Sequence, residues 1–323
     1  MARRFTTVLV LLAAAIALFV VLGPRTPVDT TIRFDDAGIG DDLDQWLAKR
    51  EESKGGVHAG MEKEIVWADP ATRSRTPLSI VYIHGFSATK HEVRPLPDKV
   101  AAALGANLFY TRLAGHGMDG EELAGVTVNA WVDDMAEAMA IGRRIGEKVI
   151  VIATSTGGGL ATWAAAQPEL AEDMKGLALI SPNYAVRASG SWILTMPWGG
   201  TLAELILGPE RSWEPQNEMH GRYWTTRYPT RALLPMAALT ELAGKTQVET
   251  IAVPALFIYS PDDQVVDATV TADLAKRWGA SVETVLVTDA GDTSNHVIAG
   301  DALSPGTTDE LADATIAWIR ALP

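Results

Sequence analysis

The chain has 323 residues, 47% hydrophobic and 21% charged, which suits one large domain or two small ones and argues against global disorder. Acidic residues outnumber basic ones 40 to 27, and a formal net charge of −13 repels phosphate backbones, so a nucleic-acid partner is not expected. The absence of cysteine excludes disulfides, thiolate metal sites, iron–sulfur clusters, a cysteine nucleophile and an acylated lipoprotein cysteine.

Residues 5–24 carry no charge, and residues 8–22 are an unbroken apolar run. A helix of 20 residues spans about 30 Å, the hydrocarbon thickness of a bilayer. Arg3 and Arg4 precede the run, and positive charge stays cytoplasmic, so the rest of the chain is expected on the extracytoplasmic side. A cleaved signal peptide needs small residues just after the apolar run, and Val21-Leu22-Gly23-Pro24 matches that poorly. Residues 1–25 therefore read as an uncleaved transmembrane signal anchor that leaves the following domain periplasmic or extracellular, with secretion as the outcome of cleavage. A buried core helix fits less well, because the run is apolar all round.

Residues 26–61 are acidic, with Asp35, Asp36, Asp41, Asp42 and Asp44 close together. They read as a linker with one short helix over 41–54, stopped by Gly55-Gly56, that holds the next domain off the membrane. From residue 62 strands alternate with helices. Apolar runs at 64–67, 78–84, 107–110, 149–154, 177–180, 255–259 and 282–287 predict strands, and 93–104, 130–145, 158–166, 268–278 and 308–322 predict helices. Several strand runs are continuously apolar, as in strands covered on both faces, so the expected fold is α/β with a mostly parallel sheet wrapped by helices.

Residues 186–245 break the rhythm and carry no core strand pattern. They hold Trp192, Trp198, Trp213 and Trp224, four of ten tryptophans, and their charges nearly cancel. Such an insertion is expected to be a lid or cap, the plainer reading being a peripheral subdomain.

The chemistry concentrates where the strand at 149–154 runs into Ser155 and then Gly157, Gly158 and Gly159. A sharp strand-to-helix turn pushes its central side chain outward and needs small residues two before and two after, here Ala153 and Gly157. Ala153 departs by one methyl from the usual glycine. A phosphate-binding glycine loop lacks support, since no P-loop lysine follows and the Gly-x-Gly-x-x-Gly spacing is absent. Serine needs a base to take its proton. In this topology the order is serine, acid, histidine, and of the six histidines only His296 follows both Ser155 and a strand-end acid. The strand at 255–259 leads into Asp262, Asp263 and Asp267. Asp263 has the position expected of the acid, Asp262 is its rival, and Asp267 suits a helix cap. Asp289 and Asp292 read as loop or turn residues. The N–H groups of Phe86, in the loop after the strand at 78–84, and of Thr156 are the candidate oxyanion donors. His84 is expected to brace that loop.

Together, His84-Gly85-Phe86, Gly115-His116-Gly117, the Ser155 turn, Asp263-Gln264-Val265-Val266 and His296-Val297-Ile298 resemble the α/β-hydrolase superfamily. Within it they are similar to the bacterial carboxylesterase, monoacylglycerol lipase and serine aminopeptidase-like group, from about residue 62 to the C-terminus. The resemblance implies an α/β-hydrolase fold at 62–323 with a helical cap at about 186–245. It also implies a Ser155–His296–Asp263 triad, donors at Phe86 and Thr156, and neither a metal nor an organic cofactor. The expected activity is hydrolysis of carboxylic esters, with apolar acyl or lipid esters suggested by the anchor and the cap, and with Trp192, Trp198 and Trp224 as candidate substrate contacts. An amidase or peptidase holding a free amine on Glu204, Glu214 or Glu218 is the nearest alternative. A non-catalytic binding protein on the same fold is the other.

Overall fold

A computed structural model describes residues 2–323, with side chains from Phe5 onward. The side chains of Arg3 and Arg4, on which the expected orientation rests, lie outside the described residues. The strands are β1 (Glu64–Val66), β2 (Thr76–Ile83), β3 (Asn107–Tyr110), β4 (Gly146–Thr154), β5 (Met174–Ile180), β6 (Glu210–Ser212), β7 (Arg227–Pro229), β8 (Ala255–Tyr259) and β9 (Val282–Leu286). Seven form one sheet in the order β1-β3-β2-β4-β5-β8-β9, parallel except for β1. Strand β4 lies at the centre of that sheet.

The unbroken apolar runs follow from burial on both faces. In β2, Val81 and Ile83 pack with Trp131, Met135 and Met139 of the helix Val128–Ile145. Ile80 and Tyr82 point the other way, against Leu96 and Val100 of the helix Leu96–Leu104 and Trp318 of the helix Thr308–Ala321. Successive side chains alternate faces, so only a strand covered twice can be apolar throughout. Each aliphatic side chain buried in this way contributes about 1.5–3 kcal/mol.

Helix boundaries shift where capping chemistry dictates. The helix expected from residue 93 begins at Leu96, because Pro95 lacks an N–H and keeps Arg94 out of helical conformation. The next begins at Val128, two residues before expectation, because the Thr127 hydroxyl caps the Ala130 N–H at 3.2 Å. Asp267 caps the helix Ala268–Arg277 at Thr269 N, 2.9 Å.

The acidic segment 26–61, expected as a linker with one short helix, carries that helix at Leu43–Lys54 and packs against the main core. Ile39, Leu43 and Leu47 are buried in the main core. Glu51, in the helix Leu43–Lys54, forms a two-pronged ion pair with Arg112 at 2.7 and 2.9 Å. Asp133 accepts the Arg33 and Phe34 N–H groups. The acidic composition of this segment hid the apolar stripe that docks it.

The insertion at 186–245 is mainly helical, but β6 and β7 form a small antiparallel pair of their own, separate from the main sheet. Its helix Leu233–Gly244 closes over the helix Ser155–Ala165, where Gly159 leaves room for Ala243. The N-terminal helix runs Ala2–Val21, and among the described residues no helix is long and apolar enough to cross a membrane. Its end is held by the cap: Trp198 stacks on Phe19 with ring centroids 4.6 Å apart and donates from Nε1 to the Phe19 carbonyl at 2.9 Å.

Candidate active site

Strand β4 ends at Thr154, and Ser155 opens the following helix with φ of +51°, a left-handed conformation that serine rarely adopts. The turn is enforced by packing. A side-chain carbon on Gly157 would lie 2.5 Å from the carbonyl oxygens of both Ile83 and His84. Ala153 is fully buried opposite Ile83 of β2, so its extra methyl is accommodated within the sheet.

Three side chains from three segments meet at this turn. His296 Nε2 lies 3.0 Å from Ser155 Oγ, and its Nδ1 lies 2.8 Å from Asp263 Oδ2. Asp263 sits just past β8, and its other oxygen accepts the Val265 and Val266 N–H groups at 2.7 and 2.9 Å. Asp263 is fully buried, whereas Asp262 is exposed and Asp267 caps a helix, so only one of the three aspartates reaches the histidine. Burial opposes charge on His296, but the Asp263 hydrogen bond and charge outweigh it and raise the imidazole above its ordinary pKa. The arrangement lets His296 take the Ser155 proton while Asp263 stabilises the resulting imidazolium.

Asp292 is a turn residue with more to do than its position suggested. One of its oxygens accepts the N–H groups of His296 and Val297, each at 3.0 Å. The other accepts Gln216 Nε2 of the cap at 2.7 Å. The loop that presents the histidine is therefore tied to the cap.

Facing Ser155 is the loop after β2. Leu113 N–H donates to His84 Nε2 at 3.0 Å, so Nδ1 carries the hydrogen and donates to the Gly85 carbonyl at 2.9 Å. Burial holds His84 neutral, well below the ordinary histidine range. Among the described residues the Phe86 N–H has no acceptor. The Thr156 N–H lies in the first helical turn, where no intrahelical acceptor exists. Both are free to receive a developing oxyanion.

A cavity of about 310 Å³ opens over Ser155, walled by Phe86, Val186, Trp213, Trp224, Tyr228, Leu233, Met236 and Leu303. Of the expected contacts, Trp224 is here. Trp192 and Trp198 are not: Trp192 is exposed and Trp198 packs on the N-terminal helix. Their place is taken by Trp213 and His220, the His220 ring lying 4.5 Å from that of Trp213 and 4.8 Å from that of Trp224. Composition marked the cap as tryptophan-rich but could not say which rings face inward. Larger clefts of 570 and 800 Å³ flank the helix Leu43–Lys54, but none of Ser155, Asp263 and His296 lines either. Among the described residues no group of three or more His, Asp or Glu side chains is arranged to hold a metal ion.

A family model for the alpha/beta hydrolase family matches residues 80–305. A thermostable monoacylglycerol lipase of Bacillus sp. strain H-257 is 29% identical over 201 residues, covering 62% of this chain and 76% of that protein. A structure from the metagenome-derived lipolytic enzymes LipS and LipT is similar with a TM-score of 0.67 at 21% identity, covering 82% of this chain and 99% of that one. The monoacylglycerol lipase of Paleococcus ferrophilus is similar with a TM-score of 0.56 at 14% identity, covering 80% of this chain and 97% of that one.

Proposed function

The chain belongs to the alpha/beta hydrolase family, and from that premise we propose that it is a serine-dependent carboxylic ester hydrolase acting on apolar acyl esters. The observation that carries this reading is the hydrogen-bonded chain Ser155–His296–Asp263 at the floor of an apolar cavity. Ser155 attacks the ester carbonyl as His296 takes its proton, and the Phe86 and Thr156 N–H groups receive the oxyanion. His296 then protonates the leaving alcohol. A water activated by the same histidine releases the acid from the acyl-enzyme. The similarity to monoacylglycerol lipase supports a lipid-like ester.

The cavity volume of 310 Å³ lies at the small end of the roughly 300–1,000 Å³ usual for ligand pockets, which suits short and medium acyl chains better than long ones. Glu204, Glu214 and Glu218, the groups an aminopeptidase would need, are exposed and lie outside the cavity wall. The ester reading is therefore preferred to the amidase. In a p-nitrophenyl ester series, kcat/KM is expected to peak at short to medium chains and to fall at palmitate. A fluorophosphonate probe is expected to label the wild type on Ser155, and an unlabelled wild type would overturn the proposal.

The N-terminal helix serves in this proposal as a membrane tether, with the catalytic domain on the extracytoplasmic side. Its support is the uncharged stretch 5–24 and the exposure of Phe5, Val10, Leu11 and Ile16, which leaves apolar surface facing water on every side. The cap contributes exposed Trp192, Leu205 and Ile206 close in the chain to Trp198, which holds the tether. The full chain is expected to sediment with membranes and to resist carbonate extraction, and a chain lacking residues 2–24 is expected in the supernatant. Release of the full chain by carbonate contradicts the tether without touching the ester chemistry.

A further inference from the structure

The buried carboxyl group of Glu92 stands beside the nucleophile and has no part in the Ser155–His296–Asp263 chain. It lies in the loop after β2 and is 2% exposed. Its Oε2 accepts the Gly85 N–H at 2.6 Å and the Tyr82 hydroxyl at 3.1 Å. The Tyr82 hydroxyl in turn lies 3.2 Å from Thr154 Oγ1, one residue before Ser155. A side-chain carbon on Gly85 would come 2.6 Å from Glu92 Oε1 and 3.0 Å from Ser155 Cβ, so glycine at this position lets the carboxyl and the serine approach each other.

Gly85 joins two peptide groups, and a glycine backbone rotates more freely than any other. Both groups are pinned from outside. Glu92 holds the N–H of the peptide before Gly85, and the protonated Nδ1 of His84 holds the carbonyl of the peptide after it. In a trans peptide the N–H points opposite to the carbonyl. Fixing the Gly85 carbonyl toward His84 therefore aims the Phe86 N–H away from it, and fixing the Gly85 N–H removes the remaining rotation. A donor is useful to an oxyanion only when its direction is set before charge develops.

We propose that Glu92 is a positioning residue for the oxyanion hole, clamping the Gly85 peptide so that the Phe86 N–H is pre-aimed at the reacting carbonyl. The role rests on the serine-hydrolase reading above. Two titratable groups face the carboxyl: Tyr82 from β2, and His296 from the loop after β9. Burial pushes Glu92 up to about 7, opposed by the Gly85 hydrogen bond and by the charge of His296. Reciprocally, Glu92 helps to raise the His296 pKa.

The experiment compares wild type, Glu92→Ala and Glu92→Gln on a soluble p-nitrophenyl ester, with a boronic acid as tetrahedral analogue and thermal unfolding of each variant. Glu92→Ala is expected to lower kcat about 10- to 100-fold with KM within about threefold, short of the roughly 10²–10³ seen when an oxyanion donor is removed outright. Boronate affinity should fall in parallel. Glu92→Gln keeps a carbonyl acceptor for the Gly85 N–H, so it should recover most of the lost kcat. Removing the negative charge should move the acid limb of its kcat/KM profile to lower pH. The proposal is overturned if Glu92→Ala keeps kcat within about threefold of wild type, if its loss lies in KM alone, or if Glu92→Gln is as impaired as alanine. If alanine does not fold, Glu92→Met, which fills the same space without an acceptor for the Gly85 N–H, is read in its place against the same limits. Fluorophosphonate labelling of the wild type separates this outcome from failure of the serine mechanism itself.

Discussion

Ser155→Ala is expected to lower kcat for ester hydrolysis by about 10⁶-fold, or about 8 kcal/mol of transition-state stabilisation, while KM changes little. The size follows from the geometry. Among the described residues, Ser155 Oγ is the hydroxyl within hydrogen-bonding distance of His296 Nε2. Without it the acyl-enzyme cannot form, and the reaction reverts to attack by water assisted by the remaining donors and the cavity. Thr156 Oγ1, buried in the next residue, lies in the helix and has no base as partner. The variant should fold normally, because the turn's left-handed φ is as accessible to alanine as to serine, at similar strain. Measurement of kcat alongside the thermal midpoint checks this. Retention of more than about one per cent of activity in a purified, correctly folded variant would remove Ser155 from the mechanism.

Asp263→Asn is expected to lower kcat by about 10⁴-fold with the fold intact. One oxygen of Asp263 accepts two backbone N–H groups, from Val265 and Val266, and the other faces His296 Nδ1. An asparagine must place its carbonyl where the two N–H donors are, which turns its NH₂ toward the imidazole. His296 Nδ1 then has to accept, its hydrogen moves to Nε2, and that hydrogen points at the serine that should be deprotonated. The same change removes the main influence raising the His296 pKa. What activity remains should therefore show its acid limb at lower pH than in the wild type. A loss below about tenfold, or an acid limb that does not move, would mean that another acid orients the histidine.

The two expectations differ in how they could be read. Ser155 was legible because its signal is local: a strand of apolar residues, a serine, and small residues on either side that a tight turn requires. His296 was legible from chain order once Ser155 was placed. Asp263 is the acid expected from its position after the strand, although Asp262 and Asp267 carry the same chemistry within six positions. The folded structure separates them, since only Asp263 lies within reach of His296. Asp263 turns inward onto the Val265 and Val266 N–H groups, Asp262 stays in solvent, and Asp267 is consumed by the helix it caps.

Glu92 and Asp292 could not be read in this way. Each acts through backbone N–H groups of a neighbouring loop segment, and a lone carboxylate in a loop carries no periodic pattern. The cap was marked by its aromatic content, but a tryptophan looks the same in sequence whether it lines the cavity, as Trp213 does, or packs against the N-terminal helix, as Trp198 does. The docking of the acidic segment 26–61 is hidden in the sequence for the opposite reason. Its buried face is three aliphatic side chains at Ile39, Leu43 and Leu47, too short a stripe to stand out from the surrounding aspartates.

From the sequence alone came the fold class, the serine and histidine that we propose as nucleophile and base, and also the removal of cysteine chemistry from consideration. All of these rest on interactions between near neighbours, or on chain order imposed by a parallel sheet. Tertiary structure decided which aspartate faces the histidine, which cap rings line the cavity, how the segment before the sheet docks, and what holds the Gly85 peptide. Those depend on contacts between residues far apart in the chain, whose geometry exists only once the sheet has brought the ends of β2, β4 and β8 together.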